Sequence, residues 1–245
     1  MTEVADPGAA PSKPWSGGGR EELADAVRRL IALTVTATAP PEVLAEAAGR
    51  AHALADQLQA HLPEAGPGAG PTARFADETV APDEVGRLAS AMPFDVIIGS
   101  CNPLALPIDI EFDPPRAIGS AVFTAPYEGA PGCVHGAVLA GAFDIILTAA
   151  NVVAGGAGPT VTLSIRYLKP TRVLEPCRFE SWVTSLDDRR TYSQGRLIQG
   201  GIVTVEAEGV FVNMERARIA SLHRRGAPAP DGVGAPDGVG EEDGS

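Results

Sequence analysis

The sequence predicts an α+β fold in which an antiparallel sheet wraps one long central helix, with a helical hairpin ahead of it. Three observations predict it. From Val134 to Val153 there is no proline, and nearly every residue is Ala, Val, Leu, Ile or Gly, which is the pattern of a helix that is apolar all round and enclosed by protein. Segments of period two flank that run on both sides, as half-buried strands do. The order strand, strand, helix, then four strands buries such a helix if the sheet curls over it.

Taken in order, residues 1–19 are dense in Pro and Gly with little that is apolar, and disorder is expected there. A helical pattern starts at Arg20, with Leu23, Val27, Leu30 and Ile31 on one face. Pro40-Pro41 stops it and opens a second helix at its first turn. On that helix Val43, Leu44, Ala47, Ala48, Ala51, Leu54, Ala55 and Leu58 share a face. Residues 20–62 are therefore expected as a helical hairpin whose helices pack on one another or on a partner subunit. His52 and His61 read as surface or packing residues. Residues 63–73, alternating Gly, Ala and Pro, read as a linker.

The main domain is expected over residues 74–222. Pro93-Phe94-Asp95 and Asn102-Pro103 read as turns around a short extended piece, Val96-Ile97-Ile98. Strands are expected at Ile108 to Phe112, Ala117 to Phe123, Thr160 to Leu168, Cys177 to Leu186, Thr191 to Ile198 and Ile202 to Met214. Asp187-Asp188 and Gly200-Gly201 mark hairpin turns. Gly155, Gly156 and Gly158 follow a helix and precede a strand, so they read as a helix C-cap and turn and not as a phosphate loop. Residues 223–245 repeat Ala-Pro-Asp-Gly-Val-Gly and end in acids, a low-complexity tail.

Composition bounds the function. A formal net charge of -12 argues against general binding of nucleic acid or anionic membrane. Three widely spaced cysteines, Cys101, Cys133 and Cys177, make no zinc or redox pattern and fit a reducing cytoplasm. No signal peptide is evident. The Val134–Val153 run has nominally the length of a membrane span, but Asp144 in its middle and the strands around it place it in a soluble core. With aromatics at 5%, that core is expected to rely on Val, Leu, Ile and Ala. A carboxylate such as Asp144 within an apolar helix must be paired, protonated or put to work.

The run Glu128 to Ala137 (Glu-Gly-Ala-Pro-Gly-Cys-Val-His-Gly-Ala), then Asp144, Ala154 to Thr160 and Ser164-Ile-Arg-Tyr-Leu-Lys-Pro170, resembles the hotdog-fold acyl-CoA thioesterases. The likeness is to the phenylacetate-pathway type, with a His-Gly-Gly loop and an Asp nine residues after the His, and it covers roughly residues 94–214. It implies a sheet wrapped round the central helix and a homodimer, or a dimer of such dimers, with sheets joined edge to edge. It implies acyl-CoA as the small-molecule partner, with no metal and no other cofactor. By position Asp144 is implied as the catalytic carboxylate, Gly136 as the backbone donor to the thioester oxygen with His135 beside it, and Thr160 as the hydroxyl that positions water. Ala137 and Thr162 are implied substrate contacts. Two departures stand out. Ala137 replaces the second glycine, which leaves its amide in place, and Gly129 replaces an Asn that some members carry.

The chemistry suits these residues. Thioester hydrolysis builds negative charge on the carbonyl oxygen, and the first turn of a helix offers free N–H groups and a positive dipole end. Gly136 N–H fits that role. Asp144 is expected either to activate water or to attack directly as a nucleophile. Eight residues separate the two on one helix, or ~12 Å along its axis, so one site needs Gly136 of one subunit and Asp144 of another. Arg166, Lys169 and Arg172, with Arg189-Arg190 in a hairpin, are the basic residues expected at the CoA phosphates or on a solvated surface. Val138, Leu139, Phe143 and Ile146 form the apolar helix face expected to meet a medium or long acyl chain. A Cys133–His135 nucleophile pair is disfavoured by their closeness in one loop. The alternative function is a non-catalytic protein that binds or senses acyl-CoA. A hydratase or dehydratase would need a different His and Asp arrangement.

Overall fold

The computed structural model describes residues 19–62, 88–156 and 158–213. The expected disordered start to residue 18, the linker, the opening of the main domain to residue 87 and the tail lie outside them.

Two helices open the described chain, α1 (Arg20–Thr36) and α2 (Pro41–Gln59). They occupy the predicted spans, but they do not close on each other as a packed pair. Helix α1 buries Ala24, and its Arg28 Nη2 donates to the carbonyls of Ser100 at 2.7 Å, Asn102 at 3.0 Å and Gly99 at 3.3 Å. Helix α2 has no buried residue, and its apolar face, including Val43, Leu44, Leu54 and Leu58, is exposed. His52 and His61 are exposed too.

After a single turn, α3 (Leu88–Ala91), the stretch around Val96-Ile97-Ile98 is a series of turns and not an extended piece. Asp95 causes this: its Oδ1 accepts from Ile97 N at 2.8 Å and Ile98 N at 3.1 Å, which curls the backbone. Gly99 permits it, because a Cβ there would lie 2.5 Å from the Asp95 amide nitrogen.

The sheet then forms from β1 (Ile108–Asp113), β2 (Arg116–Val122), β3 (Thr160–Tyr167), β4 (Pro176–Leu186), β5 (Arg190–Gln199) and β6 (Ile202–Val212). Its order is β1-β2-β4-β5-β6-β3, and every pair is antiparallel. Between β2 and β3 the chain runs through α4 (Gly136–Val153), which touches all six strands. This is the sheet-around-helix architecture expected. The helix ends as expected: Gly155 is left-handed at φ 79°, its N–H bonds Val152 O at 3.0 Å, and Gly156 N–H reaches Asn151 O at 2.8 Å.

Alternation along the strands sets the two faces. Cys177, Phe179 and Ser181 on β4 and Val205, Ala207 and Phe211 on β6 face the helix, and all are buried. Phe123, Phe143, Phe179 and Phe211 are among the largest fully buried side chains, with Phe143 and Phe179 edge to face at 5.2 Å. The few aromatics thus sit at the centre of a core otherwise made mostly of the Val, Leu, Ile and Ala expected. By length and composition α4 could cross a membrane, yet half of it is buried inside this fold. It is not fully enclosed: Ala137, Ala140, Gly141, Asp144 and Thr148 keep some exposure along one side.

On the outer sheet face Glu180 is nearly buried among Arg196 at 2.7 Å, Arg178 at 3.2 Å and Arg116 at 3.5 Å. The hydrogen bond from Arg196 is the main cause that holds its carboxyl below the usual range.

Candidate active site

The loop before α4 is built by glycine and proline. Gly132 sits at φ 73°, a left-handed conformation that L side chains resist. Gly129 N–H donates to Cys133 O at 2.9 Å, and Cys133 N–H to Ala130 O at 2.8 Å. A Cβ at Gly129 would lie 2.8 Å from His135 Cα and 2.9 Å from its ring, so an Asn does not fit there without rearrangement. The loop is tied to the segment after β3: Val134 N–H donates to Thr171 O at 2.8 Å.

His135 caps α4. It has extended backbone (φ -62°, ψ 134°), and its Nδ1 accepts from Ala137 N–H at 3.0 Å. That nitrogen is therefore unprotonated in this arrangement. The ring thus bonds the first turn of the helix. The Ala137 amide is accordingly already engaged, although the sequence had left it open to substrate. Gly136 N–H has no acceptor among the described residues. It points from the first turn of an 18-residue helix, where unpaired N–H groups and the dipole favour negative charge.

Above Gly136 stands Tyr167, whose hydroxyl donates to Gly136 O at 2.7 Å. Tyr167, Gly136, His135, Leu139, Leu168 and Lys169 line one cleft of about 670 Å³. Asp144 does not line it. It lies two turns further along α4, half-buried, and Thr160 Oγ1 donates to its Oδ1 at 2.6 Å. No cation lies within ion-pair distance of it among the described residues. One chain thus brings Asp144 and Thr160 together, and separately His135 and Gly136, but does not join the two pairs.

A bulge makes the Asp144–Thr160 contact. Thr160 registers with Phe211 and Thr162 with Val210, so β3 spends one extra residue at Val161. Leu163 and Ile165, opposite Gly209 and Ala207, pack toward the helix. Strict alternation would send Thr160 to the opposite face, and the bulge turns it back toward Asp144. Thr162 stays in register with the outward Val210, so it lies on the other side of the sheet from Asp144.

The basic residues separate. Lys169 lines the cleft beside Gly136. Arg172 is next to it, with Nη1 3.7 Å from Cys133 Sγ. Arg166 is on the outer face in an ion pair with Glu206, and Arg189 and Arg190 line a different cleft. Cys133 Sγ contacts Pro131 O and Arg172 while His135 Nδ1 serves the cap, so these two make no nucleophile pair. Of the expected acyl face, Leu139, Phe143 and Ile146 are buried in the chain's own core, because the sheet curls over that side of the helix. No group of three or more metal-ligating side chains occurs among the described residues. Tyr167 is the site residue to which the sequence assigned no role. Its signal was its parity with Leu163 and Ile165 on β3, which aims it at the helix.

The thioesterase superfamily model matches residues 131–206. A solved thioesterase superfamily protein, RHA08564, is 28% identical and covers 80% of this chain and 92% of its own, with a TM-score of 0.67. The Escherichia coli PaaI protein of the phenylacetic acid degradation operon is 18% identical over 45% of this chain and 81% of its own, with a TM-score of 0.42. A hypothetical thioesterase from Streptococcus pneumoniae, solved with coenzyme A, is 19% identical over 44% of this chain and 90% of its own, also at 0.42. No curated protein matches the chain. The family model and RHA08564 bear out the likeness to the thioesterase superfamily and its sheet wrapped round a central helix.

Proposed function

From the match of residues 131–206 to the thioesterase superfamily model, we propose that this chain hydrolyses acyl-CoA thioesters to free acid and CoA. The observation that carries the reading is Asp144: a half-buried carboxylate in the middle of an apolar helix, held by a threonine hydroxyl, with no cation against it among the described residues. A carboxylate kept for packing would normally be paired.

The site is assembled from two protomers. On α4, Gly136 and Asp144 are ~12 Å apart along the axis, too far to act on one carbon. Two α4 helices running antiparallel about a two-fold axis place Gly136 of one beside Asp144 of its mate. Two features support that pairing. The side of α4 left partly exposed carries the small residues Ala137, Ala140 and Gly141, which allow close approach. Edge strand β3 carries a single charge, Arg166, whereas the other edge, β1, is guarded by Asp109, Glu111 and Asp113.

In this arrangement the thioester oxygen accepts from Gly136 N–H. Either water attacks the carbonyl carbon while Asp144 takes its proton, or Asp144 attacks and water then cleaves the anhydride. In both routes the carbon–sulfur bond breaks and the CoA thiolate leaves and is protonated. Thr160 orients the carboxylate. Lys169 and Arg172 meet CoA phosphates at the cleft mouth.

The test is to incubate the purified protein with acyl-CoAs of graded chain length and follow free CoA, wild type beside Asp144→Ala. Turnover by the wild type, lost in the variant while CoA binding persists, supports the reading. Binding without turnover by either protein overturns it in favour of a sensor.

A further inference from the structure

We propose that Tyr167 is a positioning residue for the Gly136 amide; the inference rests on the thioesterase reading above. The peptide unit that joins Gly136 to Ala137 is held at both ends. Its carbonyl accepts from Tyr167 Oη at 2.7 Å, and its N–H donates to His135 Nδ1 at 3.0 Å. One strand residue and one loop residue therefore clamp a single peptide plane at the start of α4.

That clamp answers a problem the site creates for itself. Glycine is the residue with the most backbone freedom, yet an oxyanion donor contributes most when its direction is set before the reaction. A Cβ at Gly136 would lie 3.3 Å from Tyr167 Cζ and Oη, closer than ordinary contact, so a larger residue there presses on the ring. Tyr167 thus occupies the space a side chain would fill and replaces its steric restriction with a hydrogen bond. With the Gly136–Ala137 plane fixed and His135 held as the cap, the Gly136 N–H that precedes it has one direction, into the cleft. The same clamp leaves the Ala137 N–H turned to His135, so the site works with one donor amide in place of two.

Tyr167 is not a core residue. It is 52% exposed, at the end of edge strand β3, and lines the cleft with Lys169.

Tyr167→Phe keeps the ring and removes only the hydroxyl. It is expected to lower kcat about three- to tenfold, the worth of one hydrogen bond, with KM within about twofold and a thermal midpoint lowered by no more than a few degrees. His135-Gly136 is the only His-Gly pair in the sequence. Protein carrying carbonyl-13C histidine and 15N glycine therefore reports the Gly136 amide as a single correlation. That resonance is expected to shift in Tyr167→Phe, with faster hydrogen exchange. An unmoved resonance overturns the proposal whatever happens to kcat, and so does a shifted resonance with an unchanged kcat in an active enzyme. A wild type that releases no CoA overturns the thioesterase reading. The resonance then still reads the clamp by itself: a shift supports it and no shift overturns it.

Discussion

Thr160 Oγ1 donates to Asp144 Oδ1 at 2.6 Å, and this bond joins an edge strand to the middle of the central helix. The other carboxylate oxygen has no hydrogen-bond partner among the described residues. Asp144→Asn is expected to cut turnover by about 10²–10⁴, with binding of CoA retained. Thr160→Val keeps the shape of the side chain and loses the hydroxyl, and about a tenfold fall in kcat is expected from freeing the carboxylate. Steady-state kinetics on both variants checks this, and equal rates for Thr160→Val and wild type would remove Thr160 from the site.

Because Gly136 and Asp144 of one chain cannot meet, variants damaged at each should rescue one another. Gly136→Pro removes the free N–H at a helix position that tolerates proline, and Asp144→Ala removes the acid. Each alone is expected to be inactive. After mixing with subunit exchange, half the dimers are mixed and each has one intact site, so about a quarter of wild-type activity should return. No recovery, with exchange confirmed by mass, would contradict a shared site.

The His135 cap makes a stability prediction. His135→Ala removes the acceptor for Ala137 N–H and should cost about 0.5–2 kcal/mol. His135→Asn supplies another good capping side chain and should restore most of it. Urea unfolding of the three proteins measures the difference. A partial loss of activity in His135→Ala that His135→Asn restores would fit a His135 that caps and does no proton transfer.

Glu180 predicts acid sensitivity with a definite sign. Its carboxyl is held below the usual range, first by the hydrogen bond from Arg196 and also by Arg178. The folded value is thus lower than the unfolded one, about 4.3 for a free Glu. Its stabilising contribution is complete above that unfolded value and is lost as pH falls through the folded one. Glu180→Gln should lower the thermal midpoint at neutral pH, where three arginines lose their counter-charge. The gap between the two proteins should narrow as pH falls from about 5 to 3. Parallel curves would show that Glu180 is not the group titrating.

The sequence by itself determined the architecture. A strand such as Ile108 to Phe112, alternating apolar and acidic, reports its two faces locally, and the predicted strands match the observed ones to within a residue or two at their ends. The Gly155-Gly156 stop and the Gly200-Gly201 turn, at φ 57° and 77°, were equally legible because glycine alone takes those angles freely. Asp144 was legible as an acid where only apolar residues belong. What tertiary structure decided depends on the register between distant segments. The bulge at Val161 sends Thr160 toward Asp144 and leaves Thr162 outside, and only the pairing with β6 reveals it. The Ala137 amide is taken by His135, and Gly136 is roofed by Tyr167, because the loop, the helix start and the end of β3 converge. Periodicity records which way a side chain points along its own element. It does not record which atom from another element will be waiting there, and at this site those meetings join residues far apart in the sequence.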